Sequence, residues 1–184
     1  MQRPAEVLTH GQVTLRRWRA TDAQVVCQLV TESLEHLRPW MPWAVRYDAA
    51  GAAEYTRHCE RDWKTGAAFN YAITTAGEPV GSCSLMARIG PGGLEIGYWV
   101  HQGHTRRGLA TDAAAALTDA ALALPGIDRV EIVHDEANIA SGGVPRRLGF
   151  TEVGKRKSAA GRNTPGESGT TIVWQLTSQD RPAA

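Results

Sequence analysis

Lysine is almost missing from this chain: Lys64, Lys155 and Lys157 are three of 20 basic residues, leaving 17 arginines. Cysteine is scarce as well. Cys27, Cys59 and Cys83 are odd in number, widely spaced and outside any CxxC or Cys/His ligand pattern. That spacing argues against a disulfide framework and against a zinc or other metal site. Each reads instead as a small buried hydrophobe in a reducing setting. No apolar run approaches the ~20 residues of a membrane span. Met1-Gln2-Arg3-Pro4-Ala5-Glu6 lacks the apolar segment of a secretory leader. The expected location is therefore the cytoplasm, away from membrane. A charge surplus is absent too, with 20 Lys+Arg against 19 Asp+Glu and a net charge of +1. Non-specific nucleic-acid binding needs a clear basic excess, so no nucleic-acid partner is expected.

What is present suits a globular enzyme-sized domain. The 184 residues are 42% hydrophobic and 21% charged, near the averages for folded chains, and one domain over 1–184 with a core at about 13–177 is expected. Val13–Trp18 alternates as a strand, and Val25, Val26, Leu29, Val30, Leu34 and Leu37 recur at helical spacing after an N-cap signal at Thr21-Asp22. Pro39 and Pro42 must end that helix. A second helix is predicted over 50–64, stopped by Gly66. Strands at 69–75, 80–87 and 94–100, joined by Gly/Pro turns, read as an antiparallel meander. An Ala-rich helix over 109–124 follows, then a strand at 129–134, a short helix at 140–148, and strands at 150–157 and 170–176. Ser158–Ser168 reads as a polar loop and Ser178–Ala184 as a tail. The class is α+β, a central mixed and mostly antiparallel sheet flanked by helices.

The densest signal is the strand–loop–helix Tyr98–Ala116. Gly108 opens the helix directly after Arg106-Arg107. The first amides of a helix lack internal partners and carry partial positive charge, which makes that end an anion site. An ordinary loop with two solvated arginines fits the same spacing, and the residues alone leave the two open.

Thr105-Arg106-Arg107-Gly108-Leu109-Ala110 resembles the Q/R-x-x-G-x-G/A pyrophosphate loop of the GNAT superfamily of acetyl-CoA-dependent N-acetyltransferases. Asn138-Ile139-Ala140-Ser141-Gly142-Gly143-Val144-Pro145-Arg146-Arg147-Leu148-Gly149-Phe150 is similar to that family's N-x-x-S segment ending in LGF. Glu95-Ile96-Gly97-Tyr98-Trp99-Val100 resembles its splayed fourth strand. Leu15-Arg16, Asp22-Ala23 and above all His36–Ala44 are similar to the RimJ/RimL-like branch, which contains N-terminal acetyltransferases of ribosomal proteins.

The resemblance implies that Trp99, Val100 and His101 pair with the pantetheine arm of acetyl-CoA. It places the pyrophosphate on Arg107, Gly108, Leu109, Ala110 and Thr111, with Arg106 as an added contact. Asn138 and Ser141 are implied at the cofactor, Ser141 near the thioester sulfur. Many members carry a tyrosine acid where this chain has Pro145, so Ser141 or a water is expected to protonate the thiolate. Arg146 and Arg147 read either as phosphate contacts or as a solvated face. Glu95 is the expected general base, with His101, His134 and Glu152 behind it. Some relatives carry a glutamate where Val153 stands. Strand alternation puts Glu95, Gly97 and Trp99 on one face, and Trp40 and Trp43 are expected to wall the acceptor pocket with them.

A protein α-amine, with a pKa of about 7.7–8.0, is far easier to deprotonate near neutrality than a lysine side chain near 10.4. The expected activity is transfer of acetyl to a primary amine, preferably a protein or peptide N-terminus, by direct attack in a ternary complex without metal. Acetylation of a small amine or antibiotic is the alternative within the class, and a non-catalytic acyl-CoA sensor the alternative outside it. The chain is expected as a monomer or homodimer.

Overall fold

The computed structural model describes residues 2–157 and 163–180. The last five residues before Asn163 in the loop expected at 158–168, and the end of the expected tail at 181–184, lie outside the described residues.

One eight-stranded sheet carries the architecture, in the order β1-β2-β3-β4-β5-β6-β8-β7. The strands are β1 (Val7–His10), β2 (Val13–Arg17), β3 (Ala68–Thr75), β4 (Glu78–Met86), β5 (Gly93–Val100), β6 (Arg129–Asp135), β7 (Thr151–Lys157) and β8 (Thr170–Thr177). The helices are α1 (Ala23–Glu32), α2 (Leu34–Leu37), α3 (Ala49–Thr65), α4 (Leu109–Leu122) and α5 (Ile139–Arg147). The meander β3–β4–β5 is antiparallel, as the short turns require. The crossover through α4 makes β5 and β6 parallel. Among the described residues no helix is long and apolar enough to cross a membrane.

Sequence and structure differ in instructive places. β1 escapes sequence detection because three of its four residues are exposed and no alternation marks it. Asp22 precedes α1 as expected, but its side chain makes no cap. The carboxylate is held instead by Arg16, at 2.9 and 3.0 Å, and by the Arg19 amide. The helix expected through Leu37 breaks at Ser33 into α1 and α2. At α3 the signals hold. Asp48 accepts from the Gly51 amide, and Gly66 closes the helix in the left-handed region at φ 80°.

Two apolar clusters grip the sheet. Val26, Val30, Leu37, Ala44, Ala52 and Cys59 gather with Trp18 and Ala72. The other cluster seats Ala113, Ala114, Ala116 and Leu117 of α4 with Leu15, Ile73, Leu85 and Ile96. Alanines let α4 lie close to the strands, which fixes where its N-terminus points. Cys59 and Cys83 are buried, as expected of small hydrophobes, whereas Cys27 is only half-buried, and burial pushes the Cys59 thiol up to about 12.

The feature that matters most is where pairing stops. β5 pairs with β6 only from Gly93 to Ile96. Its second half, Gly97–Val100, stays bonded to β4 while β6 diverges. A gap opens between adjacent strands of one sheet.

Candidate active site

The gap continues into a cavity of about 820 Å³. Trp40, Met41 and Trp43 wall it from the Pro-bounded turn after α2, and Glu95, Gly97 and Trp99 line it from β5. Asn138 and Ser141 reach it from the start of α5. The indole of Trp43 lies 6.2 Å from that of Trp99 and 5.8 Å from the Tyr47 ring. The turn carrying the tryptophans is strapped down by the later loop. The Thr164 hydroxyl and the Gly166 amide both donate to the Pro39 carbonyl.

Glu95 is 6% exposed, and its Oε1 accepts from the Arg88 guanidinium, whose side chain is 58% exposed. A carboxylate is thus held at the cavity wall by one partner that remains in contact with water. The pairing also holds the Arg88 guanidinium above its ordinary range.

Ser141 is placed from both sides of the gap. Its amide donates to Asn138 Oδ1 at 3.1 Å, which makes Asn138 the N-cap of α5. The Tyr98 hydroxyl donates to the Ser141 carbonyl at 3.0 Å and lies 3.3 Å from Oγ. Burial pushes this phenol up to about 12, against the pull of the Ser141 bond, so it is a neutral donor. Sequence reading passed over Tyr98, because nothing local ties it to a residue 43 positions away. Tyr98→Phe removes a bond of roughly 0.5–1.5 kcal/mol net. The expected outcome is a kcat lowered about 2- to 10-fold with the KM for acetyl-CoA unchanged, read by steady-state kinetics.

The histidines considered as bases are engaged elsewhere. Trp174 Nε1 donates to His134 Nε2 at 2.9 Å, so His134 keeps its proton on Nδ1 and donates it to the Asp135 carbonyl at 2.8 Å. Both ring nitrogens are thereby engaged. His101 Nδ1 accepts from the Gly103 amide, which leaves Nε2–H for Glu32 at 3.1 Å. Glu152 and Val153 sit on β7, every residue of which is exposed, and neither lines the cavity.

A second region adjoins the gap. The His101 amide bonds the Val80 carbonyl of β4. Strand alternation therefore turns the amides of Val100 and Tyr98 the other way, toward the edge β6 has left. Gly81 permits the close approach of β4, since a Cβ there would lie 2.4 Å from the Trp99 carbonyl oxygen. Beyond His101, Arg106 adopts φ 61° and Gly108 φ 81°. Arg106 is thus held in the left-handed region, a conformation costing roughly 1–2 kcal/mol for a side-chain-bearing residue. Thr111 and Asp112 donate to the Gly108 carbonyl. The amides of Gly108, Leu109 and Ala110 precede these first intrahelical bonds and face outward. Arg147 extends to Thr111 at 3.5 Å, in this first turn. Its neighbour Arg146 points elsewhere and stacks on Trp174, 5.1 Å from the ring centroid. Of that pair, only Arg147 stands near the start of α4. Residues 106–111 do not line the cavity itself.

Asp135, also missed from sequence, ties β6 to the loop entering β8. Oδ1 accepts from the Ala137 and Ser168 amides and Oδ2 from that of Gly169. Burial raises its pKa, but the amide bonds outweigh it and hold the carboxyl below its ordinary value. A depressed folded-state pKa stabilises above the unfolded value and is lost as pH falls through the folded one. Asp135→Asn must set an NH₂ group against one donor. We expect a loss of about 1–2 kcal/mol at pH 7, shrinking toward pH 3, in urea unfolding at the two pH values.

Among the described residues no three His, Cys, Asp or Glu side chains gather to hold a metal ion.

A family model described as the Acetyltransferase (GNAT) domain matches residues 12–151. YdaF of Bacillus subtilis (strain 168), a provisionally named ribosomal N-acetyltransferase, is 27% identical over 151 residues, 79% of this chain and 81% of its own length. Mycobacterium smegmatis RimJ in complex with CoA-disulfide matches at a TM-score of 0.84 and 24% identity, covering 97% of this chain and 88% of that one. RimL, a ribosomal L7/L12 alpha-N-protein acetyltransferase in complex with coenzyme A, matches at 0.86 and 22% identity, covering 96% and 100%. The microcin C7 self-immunity acetyltransferase MccE, in complex with acetyl-CoA and AMP, matches at 0.82 and 19%, covering 90% and 92%. At such identities the structural likeness is one of fold.

Proposed function

The chain belongs to the GNAT acetyltransferase family, and from that premise we propose that it moves acetyl from acetyl-CoA to the α-amine of a protein or peptide by direct attack. The observation that carries the reading is the junction of three features. An anion cradle at the start of α4 and an unpaired stretch of β5 lead into a cavity where Glu95 and Ser141 converge.

The residues present fit acetyl-CoA. The space beyond Gly108 is open, with nothing within 4 Å of a Cβ built there. The amides of Gly108, Leu109 and Ala110 suit the pyrophosphate, with Arg106, Arg107, Arg147 and Thr111 beside them. Trp99, Val100 and His101 offer the main chain of an extended arm its pairing edge, and Asn138 holds the α5 start against it. When bound, acetyl-CoA supplies an acetyl thioester activated toward an amine.

The chain's own residues do the rest. Glu95 takes a proton from the ammonium of the acceptor, directly or through water, and frees the nitrogen lone pair. The Val100 amide, turned into the gap, is placed to stabilise negative charge on the carbonyl oxygen. Ser141 Oγ–H, fixed by Asn138 and Tyr98, donates toward the departing sulfur where Pro145 replaces the usual tyrosine. Trp40, Trp43, Gly97 and Trp99 receive the residue that bears the amine, and Trp43, 43% exposed, reaches the rim where a macromolecular acceptor would rest. The likeness to RimL, a ribosomal L7/L12 alpha-N-protein acetyltransferase, makes protein N-termini the first acceptors to try.

The deciding experiment is release of thiol from acetyl-CoA over a panel of N-terminal peptides, free amino acids and amine antibiotics. Highest kcat/KM on peptides supports the proposal. A small amine outpacing every peptide overturns the acceptor, and no release with any amine despite cofactor binding overturns transfer itself.

A further inference from the structure

Two serines of β4 face the cavity beside the proposed base, and the direction of each proton decides what the oxygen can bind. Ser82, Ser84 and Met86 alternate onto one face of β4. The antiparallel register sets them opposite Trp99, Gly97 and Glu95 of β5, in that order. All six positions share one face of the sheet, and all six line the cavity. Ser84 is thus the diagonal neighbour of Glu95, roughly 7–8 Å away. Its direct neighbour is Gly97. A Cβ there would meet the Met86 methyl at 3.0 Å and no other non-neighbouring atom within 4 Å among the described residues. The floor bounded by Ser84, Glu95 and Trp99 therefore carries no side chain of its own.

The two hydroxyls differ in what they have left to offer. Ser82 is buried and fully engaged. Its Oγ donates to the Tyr71 carbonyl at 3.2 Å and accepts from Trp18 Nε1 at 3.0 Å, so the Tyr55 hydroxyl is the donor in its contact with Ser82 at 3.0 Å. Ser84 is only half-buried. Its Oγ donates to Asn70 Oδ1 at 2.6 Å, from the residue directly opposite it on β3. Asn70 is 7% exposed and stands behind the cavity wall. Among the described residues no donor reaches Ser84 Oγ. A hydroxyl has one proton and two lone pairs. With the proton committed to a buried amide oxygen, Ser84 offers the cavity lone pairs alone. Glu95 is an acceptor as well, and Arg88 claims one of its oxygens.

A group set over Gly97 thus meets hydrogen-bond acceptors on two sides. A carbonyl or carboxylate gains nothing there, whereas an alkylammonium brings three N–H donors. With a bond of about 2.9 Å to each oxygen, one nitrogen over Gly97 bridges the Ser84 hydroxyl and the Glu95 carboxylate. We propose that Ser84 is an acceptor-binding residue that accepts a hydrogen bond from the reacting nitrogen, and that Asn70 is the positioning residue keeping its lone pairs toward the cavity. This deepens the transfer reading above and rests on it. Glu95 takes one proton from the ammonium, and the charge attraction between them then disappears. Ser84 holds another N–H before and after that step, so the neutral nitrogen stays over Gly97.

The test uses the best acceptor from the thiol-release panel. Ser84→Ala should lower kcat/KM for the amine about 10-fold, roughly 1.4 kcal/mol for one hydrogen bond, with the KM for acetyl-CoA unchanged. Ser84→Cys keeps the volume but has only a weak sulfur acceptor, and should fall as far. Ser84→Thr keeps the oxygen and should recover most of the loss. The control ligand is the same acceptor with its amine replaced by hydrogen. Its inhibition constant should be equal in the unaltered enzyme and all three variants, because it has no N–H for Ser84 to hold. Asn70→Ala lets the hydroxyl rotate and should weaken the amine several-fold by the same comparison; no change would overturn the positioning role. A Ser84 that serves only to satisfy Asn70 would lower Tm in Ser84→Ala and leave the amine kcat/KM unchanged, or weaken amine and control ligand equally. Either result overturns the assignment. Should Ser84→Ala not fold, the cysteine and threonine variants decide by the same ratio. Absence of thiol release from the unaltered enzyme would remove the transfer reading and this one together, and is distinguished by appearing before any variant is made.

Discussion

Glu95→Gln should lower kcat by about 10²- to 10⁴-fold, the range expected when a positioned general base is lost, while acetyl-CoA binds as before. Glu95 is singled out by exclusion as much as by placement. His134 has its free nitrogen occupied by Trp174, and His101 is spent between Gly103 and Glu32. Glu152 lies on an exposed strand outside the cavity. Glu95 alone among these candidates joins burial, a cavity position and a partner, Arg88, that leaves one oxygen unclaimed by it. The deficit should be largest below the acceptor's own pKa, about 7.7–8.0 for an α-amine, because a base is needed only while the amine is protonated. Above pH 9 the variant should recover toward the unaltered enzyme. Stopped-time thiol release from pH 6 to 9.5 reads this, and a deficit independent of pH would assign Glu95 a role other than proton removal.

Gly108→Val should cost the second-largest effect, a weakening of acetyl-CoA binding by about 100-fold, roughly 2.7 kcal/mol. Gly108 sits at φ 81°, where a β-branched residue is strained. Its Cβ direction points into open space, so the valine meets no atom of the free protein and intrudes only where an anion would approach the α4 amides. Strain and obstruction can be separated. Gly66 has φ 80° and equally open surroundings, but it ends α3 on another part of the molecule. Gly66→Val should lower Tm by a similar few degrees and leave coenzyme A affinity intact. Equal loss of affinity in both variants, by calorimetric titration with coenzyme A, would show that global destabilisation and not the cradle is responsible.

Much of this fold could be read along the chain because its elements announce themselves locally. Runs of strand-forming residues between turn signals marked β2 to β8, prolines 39 and 42 follow the end of α2, and Gly66 ended α3. The pyrophosphate-loop and Asn138–Phe150 segments are contiguous, so a resemblance confined to neighbouring residues was enough to bring Glu95, Gly97, Trp99, Ser141, Trp40 and Trp43 to one place, and the structure does gather them around one cavity. Adjacent arginines were harder. Arg146 and Arg147 look equivalent in the sequence, yet successive helix positions point about 100° apart, and one stacks on Trp174 while the other reaches Thr111.

The scarcity of lysine, the neutral balance, the element order from α3 onward and the motif residues were determined by the sequence alone, since each depends on residue type and spacing within a few turns or strands. Three decisions belonged to the tertiary structure. The divergence of β6 from β5 after Ile96 depends on how two strands separated by a helix lie in space. The tautomer of His134 is set by an indole 40 residues away, and the placement of Ser141 by a phenol 43 residues away. Hydrogen-bond partners and strand register are long-range choices, fixed only when the whole sheet has closed its accounts of donors and acceptors.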